Sequence, residues 1–102
     1  MSVSAFTKDN FDKEVLRSTE KVLVDFFATW CGPCKILAPT LEKLSEEHPE
    51  YIIGKVDVDK EPELAQKYSI MSVPTLIVFD NGEEIRRTSG TIPKEAVAEM
   101  LS

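Results

Sequence analysis

The sequence contains few cysteines, one histidine and no long apolar run. Two cysteines in 102 residues are too few for the disulfide framework of a small secreted domain. With a single histidine beside them, the chain also falls short of the four ligands of a structural zinc site. No stretch approaches the roughly 18 apolar residues of a membrane-spanning helix, and the first residues show no secretory signal pattern. We therefore expect a cytoplasmic protein.

Positive charge is also in the minority. Twelve Lys and Arg residues face eighteen Asp and Glu residues, and the net charge is −6. An acidic chain is repelled by phosphate backbones and anionic lipids, so we expect no nucleic-acid and no membrane partner. A hydrophobic content of 42% is that of an ordinary globular protein. The length predicts one domain, residues 1–102, which can fold without structural disulfides.

Both cysteines lie in the segment Trp30–Lys35, which reads WCGPCK. The segment directly follows an apolar run, residues 22–28, and directly precedes a helical pattern. A Cys-x-x-Cys motif at such a junction is typical of a dithiol/disulfide couple. If Cys31 opens the helix, Cys34 lies on the same face one turn in, close enough to form a disulfide.

The helix N-terminus makes the two predicted sulfurs unequal. Unpaired N–H groups and the helix dipole favour a thiolate at Cys31, whereas Cys34 should be shielded. We predict that Cys31 attacks and Cys34 resolves. Pro33 suits the first turn because it needs no N–H partner there, and Gly32 keeps the approach to Cys31 open. A zinc site with His48 and a buried pair of inert thiols are the weaker alternatives.

Hydrophobic periodicity predicts alternating strands and helices. The expected strands are 3–6, 22–28, 51–58, 75–79 and 84–89, and the expected helices are 11–16, 31–48, 61–68 and 93–101. The first six elements alternate, which predicts parallel pairing, and the Asp80–Glu83 turn predicts an antiparallel last strand. In the long helix, we expect Pro39 to cause a bend and four side chains to face the core: Ile36, Leu37, Leu41 and Leu44. The result is an α/β fold, a central mixed five-stranded sheet flanked by four helices.

Asp25 is a carboxylate within the apolar run 22–28, on the side shared with Leu23 and Phe27. Burial there should raise its pKa. Asp25 then either accepts a proton beneath Cys34 or is tied to a backbone amide or an ordered water. The residues alone leave both roles open.

The WCGPCK segment matches the active site of thioredoxins residue for residue, and the chain resembles that family from Phe6 to Leu101. The resemblance implies the thioredoxin fold and a general protein-disulfide oxidoreductase that reduces substrate disulfides and donates electrons. It implies no bound cofactor, and a thioredoxin reductase that restores the dithiol. It also implies that Asp25 is the proton acceptor and that Lys55 faces it and tunes its pKa. A lysine reaching to the surface is the alternative for Lys55.

The same resemblance implies that the Val73–Pro74 bond is cis and faces the disulfide, with the backbone of Val73 offered to the substrate chain. The residues alone favour trans, because only about 5–6% of X-Pro bonds are cis. Contact with disulfide-containing protein substrates is expected at an apolar patch formed by Trp30, Gly32, Pro33, Val73, Pro74 and Gly90. A core tryptophan and a turn glycine are the alternative roles for Trp30 and Gly90. We interpret Met71 and His48 as structural.

Three positions depart from the family pattern. Phe27 stands where many relatives have a tryptophan, Ser69 where a glycine often follows the tyrosine, and Ser89 where an apolar residue often precedes the glycine. The change at Ser89 touches the substrate patch and bears on partner preference.

The Gly-Pro pair between the cysteines favours a reducing member of the family, because oxidising and isomerising members usually carry a histidine there. A disulfide donor or isomerase is the alternative within this class. An interaction module that uses the apolar patch is the alternative from another class. We expect a monomer.

Overall fold

The fold is a five-stranded sheet with helices packed on both faces. In the computed structural model, which describes residues 3–102, the strands are β1 (Val3–Ala5), β2 (Val22–Phe27), β3 (Ile52–Asp57), β4 (Thr75–Asp80) and β5 (Glu83–Ser89). The helices are a π-helix (Asp12–Leu16), α1 (Gly32–Glu47), α2 (Pro62–Lys67) and α3 (Lys94–Met100). The predicted fold class and order of elements are confirmed, and every predicted boundary is within one residue.

The sheet is mixed, with strand order β1-β3-β2-β4-β5. Both β1 and β2 pair with β3 in parallel, whereas β4 pairs antiparallel with β2 and with β5. Asn81 and Gly82 form the tight turn between β4 and β5, both with positive φ, as a two-residue hairpin turn requires. Gly82 also lies so close to the carbonyl oxygen of Leu16 that a Cβ would collide with it.

Alternating side chains of the central strands build two hydrophobic clusters, one on each face of the sheet. Val22, Val24 and Phe26 of β2 pack with the π-helix and α2, while Leu23 of β2 packs with α1 and α3. This alternation is the period-2 pattern of a strand buried on both sides. Asp25 follows Leu23 by two residues, so it lies on the face covered by α1.

Helix α1 buries Leu37, Leu41 and Leu44, but Ile36 is 65% exposed. The prediction that Ile36 faces the core is therefore wrong. Consecutive helical residues point about 100° apart, and once Leu37 lies in the buried stripe its neighbour faces outward. Pro39 lies inside the helix as expected.

The first helix is a π-helix, with more residues per turn than an α-helix. Its closing hydrogen bond runs from the N–H of Arg17 to the carbonyl oxygen of Asp12, five residues back, over 2.9 Å. None of the helices formed by residues 3–102 is long and apolar enough to cross a membrane.

Candidate active site

Cys31 and Cys34 form a disulfide at the start of α1, with their Cα atoms 5.3 Å apart. Cys31 is the N-cap residue, in extended conformation, and Cys34 lies in the first turn with Pro33 before it. The backbone N–H of Cys34 donates to Sγ of Cys31 over 3.2 Å. Cys31 Sγ therefore lies where a backbone donor and the helix dipole both stabilise negative charge.

The two cysteines are equally buried in the disulfide form, each 4% exposed. They form a small cluster with Ala28, against which Phe27 and Val73 pack. The predicted shielding of Cys34 is confirmed, but Cys31 is shielded just as well. The two residues differ in their neighbours: Sγ of Cys31 lies 3.6 Å from the carbonyl oxygen of Val73, whereas Cys34 lines a cavity together with Asp25.

Asp25 is buried in the middle of β2, 4% exposed. Its Oδ1 atom has no hydrogen-bond partner within residues 3–102, so a tie to a backbone amide is not supported at that atom. Burial raises the pKa of this carboxyl from 3.8 to about 7, and the positive charge of Lys55 opposes that rise to a smaller extent. A carboxyl with a pKa near 7 can both hold and release a proton at neutral pH.

Lys55 lies directly opposite Asp25 in the β2–β3 pair. Its side chain is exposed, with Nζ 5.4 Å from the centre of the Phe27 ring. The side chain therefore reaches solvent, as the alternative for Lys55 predicts. That Lys55 tunes Asp25 stays a prediction. The cavity between strand and helix has a volume of about 220 Å³ and is lined by Asp25, Phe27, Ala28, Thr29, Cys34, Lys35, Ala38 and Lys55. A cavity of that volume can hold several water molecules, and Asp25 and Cys34 both line it.

The Val73–Pro74 peptide bond is cis, which confirms the expectation from the resemblance. Pro74 is buried at the start of β4, and its carbonyl oxygen accepts a hydrogen bond from the N–H of Gly90 over 2.9 Å. Gly90 has a φ of 87°, so its role as a turn residue is confirmed. That turn also brings Gly90 beside Pro74.

Trp30 is 69% exposed, so the alternative of a core tryptophan is wrong. Its Nε1 donates to a carboxylate oxygen of Asp59 over 2.8 Å, which holds the ring at the edge of the disulfide. Met71, interpreted from the sequence as structural, is 91% exposed. It belongs to a loop with no helical or strand periodicity, so nothing in the pattern distinguished burial from exposure. Residues Trp30, Val58, Ile70, Met71, Ser72 and Val73 line a groove of about 210 Å³.

Two residues of this region were missed in the sequence. Asp59, which fixes Trp30, lies in the turn after β3, and its position two residues after Asp57 was its only signal in the sequence. Thr91 donates from Oγ1 to the carbonyl oxygen of Pro33 over 3.2 Å, a contact between segments 58 residues apart that no local pattern reveals. Ser89, noted as unusual, has its Oγ 3.3 Å from Oγ1 of Thr75.

The other predicted positions surround the disulfide. Gly32 and Pro33 are exposed in the first turn of α1 and Val73 is partly exposed opposite them. His48 lies far along the chain at the end of α1, stacked on Tyr51, as its structural interpretation predicts.

Comparison with known proteins agrees with this geometry. The model of the thioredoxin family matches residues 2–102. A thioredoxin of Staphylococcus haemolyticus is 46% identical over 99% of this chain and 96% of its own length. A thioredoxin of Chlamydia trachomatis is 43% identical over 98% of this chain and 96% of its own.

A third relative, the bifunctional thioredoxin reductase/thioredoxin of Mycobacterium leprae, is 44% identical over 94% of this chain, which covers 21% of that longer protein. The matches extend over almost all of the chain and include the strand-to-helix junction that carries both cysteines. The chain therefore belongs to the thioredoxin family, and it is a protein-disulfide oxidoreductase whose Cys31–Cys34 pair performs dithiol/disulfide exchange.

Proposed function

We propose that this protein works as a general reductant of protein disulfides, with Cys31 as the attacking thiol and Cys34 as the resolving thiol. The observation that carries the proposal is the position of the disulfide, at the N-terminus of α1 and within 3.6 Å of the backbone of Val73. A sulfur at a helix N-terminus is stabilised as a thiolate, and the thiolate is the nucleophile in disulfide exchange.

The reaction transfers two electrons and involves two exchange steps. The Cys31 thiolate attacks one sulfur of the substrate disulfide, a mixed disulfide forms, and the other substrate sulfur leaves as a thiolate. Cys34 then loses its proton and attacks Sγ of Cys31. The Cys31–Cys34 disulfide forms, and the second substrate sulfur leaves and is protonated.

Asp25 accepts the proton of Cys34 in this scheme. It lines the same cavity as Cys34, and its pKa of about 7 allows a proton to move in either direction at neutral pH. Lys55 supports the ionised form of Asp25 through its charge. We assign Asp25 the role of general base and Lys55 that of a residue that tunes it.

The substrate chain binds across the surface around the disulfide, formed by Trp30, Gly32, Pro33, Val73 and Gly90, with the buried Pro74 beneath it. Trp30 offers an exposed apolar face, and the backbone of Val73 lies beside Sγ of Cys31. An extended peptide can pair with such a backbone segment while its disulfide approaches Cys31.

A thioredoxin reductase returns the oxidised protein to the dithiol. The Mycobacterium leprae relative is named as a bifunctional thioredoxin reductase/thioredoxin. This name supports a reductase partner for this chain. A reducing cytosol and a monomeric state complete the proposal. The use of both cysteines in one redox pair supports the cytosol, where disulfides are usually catalytic.

The test compares the wild type with Cys31→Ser, Cys34→Ser and the double variant in the reduction of a disulfide-containing protein substrate. We expect the wild type to turn over, Cys31→Ser to be inactive, and Cys34→Ser to accumulate a mixed disulfide with the substrate. The reduction potential, measured in glutathione buffers, decides the direction of electron flow between this protein and its substrates. We expect a value well below that of the glutathione pool.

A potential at or above that of glutathione would instead make the protein a disulfide donor or isomerase. A cellular role that the double variant retains in full would indicate an interaction module and would overturn the proposal.

A further inference from the structure

Two consecutive residues of the loop after β5 bind the two sides of the redox site. The N–H of Gly90 donates to the carbonyl oxygen of Pro74, over 2.9 Å, on the substrate side. The hydroxyl of Thr91 donates to the carbonyl oxygen of Pro33, over 3.2 Å, in the first turn of α1. Neither the mechanism nor the predicted site residues account for the Thr91 contact.

The carbonyl that Thr91 binds belongs to the same peptide group as the N–H that binds the attacking sulfur. The peptide between residues 33 and 34 consists of the Pro33 carbonyl and the Cys34 N–H. Its oxygen accepts from Oγ1 of Thr91, and its N–H donates to Sγ of Cys31 over 3.2 Å. The three groups therefore form a chain of two hydrogen bonds through one peptide plane.

Hydrogen bonds in such a chain polarise one another. A donor at the carbonyl oxygen draws electron density toward that oxygen and makes the amide N–H more acidic, which strengthens the bond that the N–H donates by about 10–30%. The gain is larger when the acceptor is a charged sulfur than when it is a neutral one. The effect of Thr91 is therefore greater in the dithiol state, where Cys31 is a thiolate, than in the disulfide state.

We propose that Thr91 is a positioning residue that stabilises the Cys31 thiolate through the Pro33–Cys34 peptide group. The inference deepens the proposed function and rests on it, because that function makes Cys31 the attacking thiol. Thr91 touches neither sulfur and acts only through the peptide.

The direction of the effect on the reduction potential depends on whether Thr91 stabilises the dithiol or the disulfide state more. Stabilising the thiolate favours the dithiol over the disulfide, so the Thr91 hydroxyl raises the reduction potential and lowers the pH at which Cys31 becomes reactive. Removing it does the reverse. Because Thr91 is exposed, water can bind the Pro33 carbonyl once the hydroxyl is removed. We therefore expect only about a two- to threefold change in the ionisation constant of Cys31 and in the redox equilibrium constant.

The experiment compares Thr91→Val, which keeps the shape but loses the hydroxyl, with Thr91→Ser, which keeps the hydroxyl. The first readout is the rate at which iodoacetamide alkylates Cys31 from pH 5 to 10 in a Cys34→Ser background. We expect Thr91→Val to move the midpoint of this profile upward by about 0.3 to 0.5 pH units, the logarithm of that fold-change. Thr91→Ser should keep it close to the wild-type midpoint.

The second readout is the reduction potential of the two-cysteine protein, at a pH above the midpoint of the alkylation profile. A two- to threefold change in the equilibrium constant corresponds to a potential lower by about 9 to 14 mV for a two-electron couple. The matched control is Thr88→Val on β5, since the Thr88 hydroxyl makes no hydrogen bond within the described part of the chain. This control should change neither readout.

Unchanged profile and potential in Thr91→Val, or equal changes in Thr88→Val, would overturn the proposal. A fall in the unfolding midpoint alone would mean that Thr91 is only a structural tether, and would overturn it too. Neither readout needs a reductase or a protein substrate. A wild type that fails to reduce protein disulfides would thus refute the proposed function separately, while the Thr91 comparison still gives its own answer.

Discussion

Trp30 is exposed beside the disulfide, yet its position is fixed, because Nε1 donates to the carboxylate of Asp59 over 2.8 Å. The indole thus presents an apolar face to solvent while its polar edge is satisfied by the protein. Asp59 lies in the turn after β3 and does not touch either sulfur, so it offers a way to alter substrate contact without altering the redox chemistry.

Replacing Asp59 should weaken substrate binding. In Asp59→Ala the indole loses its partner, and we expect KM for a protein substrate to rise about two- to fivefold, since the lost bond is exposed to water. Asp59→Asn keeps an acceptor oxygen and should lie closer to the wild type. Steady-state kinetics with each variant measure the effect, and the alkylation rate of Cys31 serves as the control. A change in that rate as large as the change in KM would contradict a role in substrate contact.

The buried carboxyl of Asp25 should make the oxidised protein less stable as the pH rises. Its pKa is raised from 3.8 to about 7 by burial, so between these values the folded state holds a proton that the unfolded state has lost. The free energy of unfolding therefore falls across that window, by at most about 4 kcal/mol in total, and levels off above it.

The Asp25→Asn variant lacks this titration. The stability of Asp25→Asn relative to the wild type should therefore be only slightly higher at pH 4, and this difference should grow up to about pH 8. Urea unfolding of both oxidised proteins across this range measures the difference. An advantage that stays constant with pH would contradict the assigned pKa.

Removing the charge of Lys55 should raise the pKa of Asp25 further, above about 7. Among residues 3–102, Lys55 is the one charge that lowers this pKa against the effect of burial. Lys55→Met therefore leaves the carboxyl with the burial effect. The pH titration of the ¹³C-labelled Asp25 carboxyl by NMR measures the direction. The exposed Lys60, just beyond β3, provides the matched control Lys60→Met, for which no change is expected. Equal titrations in all three proteins would show that Lys55 has no influence.

Replacing Ser69 by glycine should stabilise the protein. Ser69 has a φ of 54°, in the left-handed region that side chains disfavour and glycine adopts freely. We expect Ser69→Gly to raise the free energy of unfolding by about 0.5 to 1 kcal/mol, net of the extra backbone entropy of glycine. Asn81, with a φ of 52°, is the comparison, because asparagine tolerates this region and Asn81→Gly should gain less. Urea unfolding curves decide, and a loss of stability in Ser69→Gly would disprove the assignment of strain.

The fold was predictable because its signals are local. The apolar run of β2, the Asn81–Gly82 turn and the helical spacing of Leu37, Leu41 and Leu44 each determine one element. Neighbouring helical residues are harder to separate, as Ile36 shows: four apolar side chains fit a helical pattern, but the buried stripe holds only three of them. The π-helical hydrogen bonding of Asp12–Leu16 also has no signature in the sequence, since it depends on which carbonyl each N–H reaches.

In the candidate site, too, features with a local signal were predictable from the sequence and features without one were not. The first-turn position of Cys34 and the raised pKa of Asp25 follow from spacing and from burial in an apolar strand. The cis bond before Pro74 came only from family resemblance, because the intrinsic preference is for trans. Contacts between distant loops, such as Trp30 with Asp59 and Thr91 with Pro33, have no local signal at all. The exposure of Met71 could not be predicted from its residue type, because a loop has no helical or strand periodicity that would indicate which side chains face the core.

The small cluster of Ala28, Cys31 and Cys34 shares no buried residue with the two large hydrophobic clusters, and Val58 packs against both it and one of them. This arrangement bears on how the protein can be used repeatedly. We therefore expect that opening or closing the disulfide changes contacts in the smallest of the three clusters and leaves the packing on both faces of the sheet in place. Gaining or losing two electrons is therefore a local event, and the rest of the molecule serves as an unchanging carrier. A protein built in this way can pass through many cycles of oxidation and reduction without refolding in any of them.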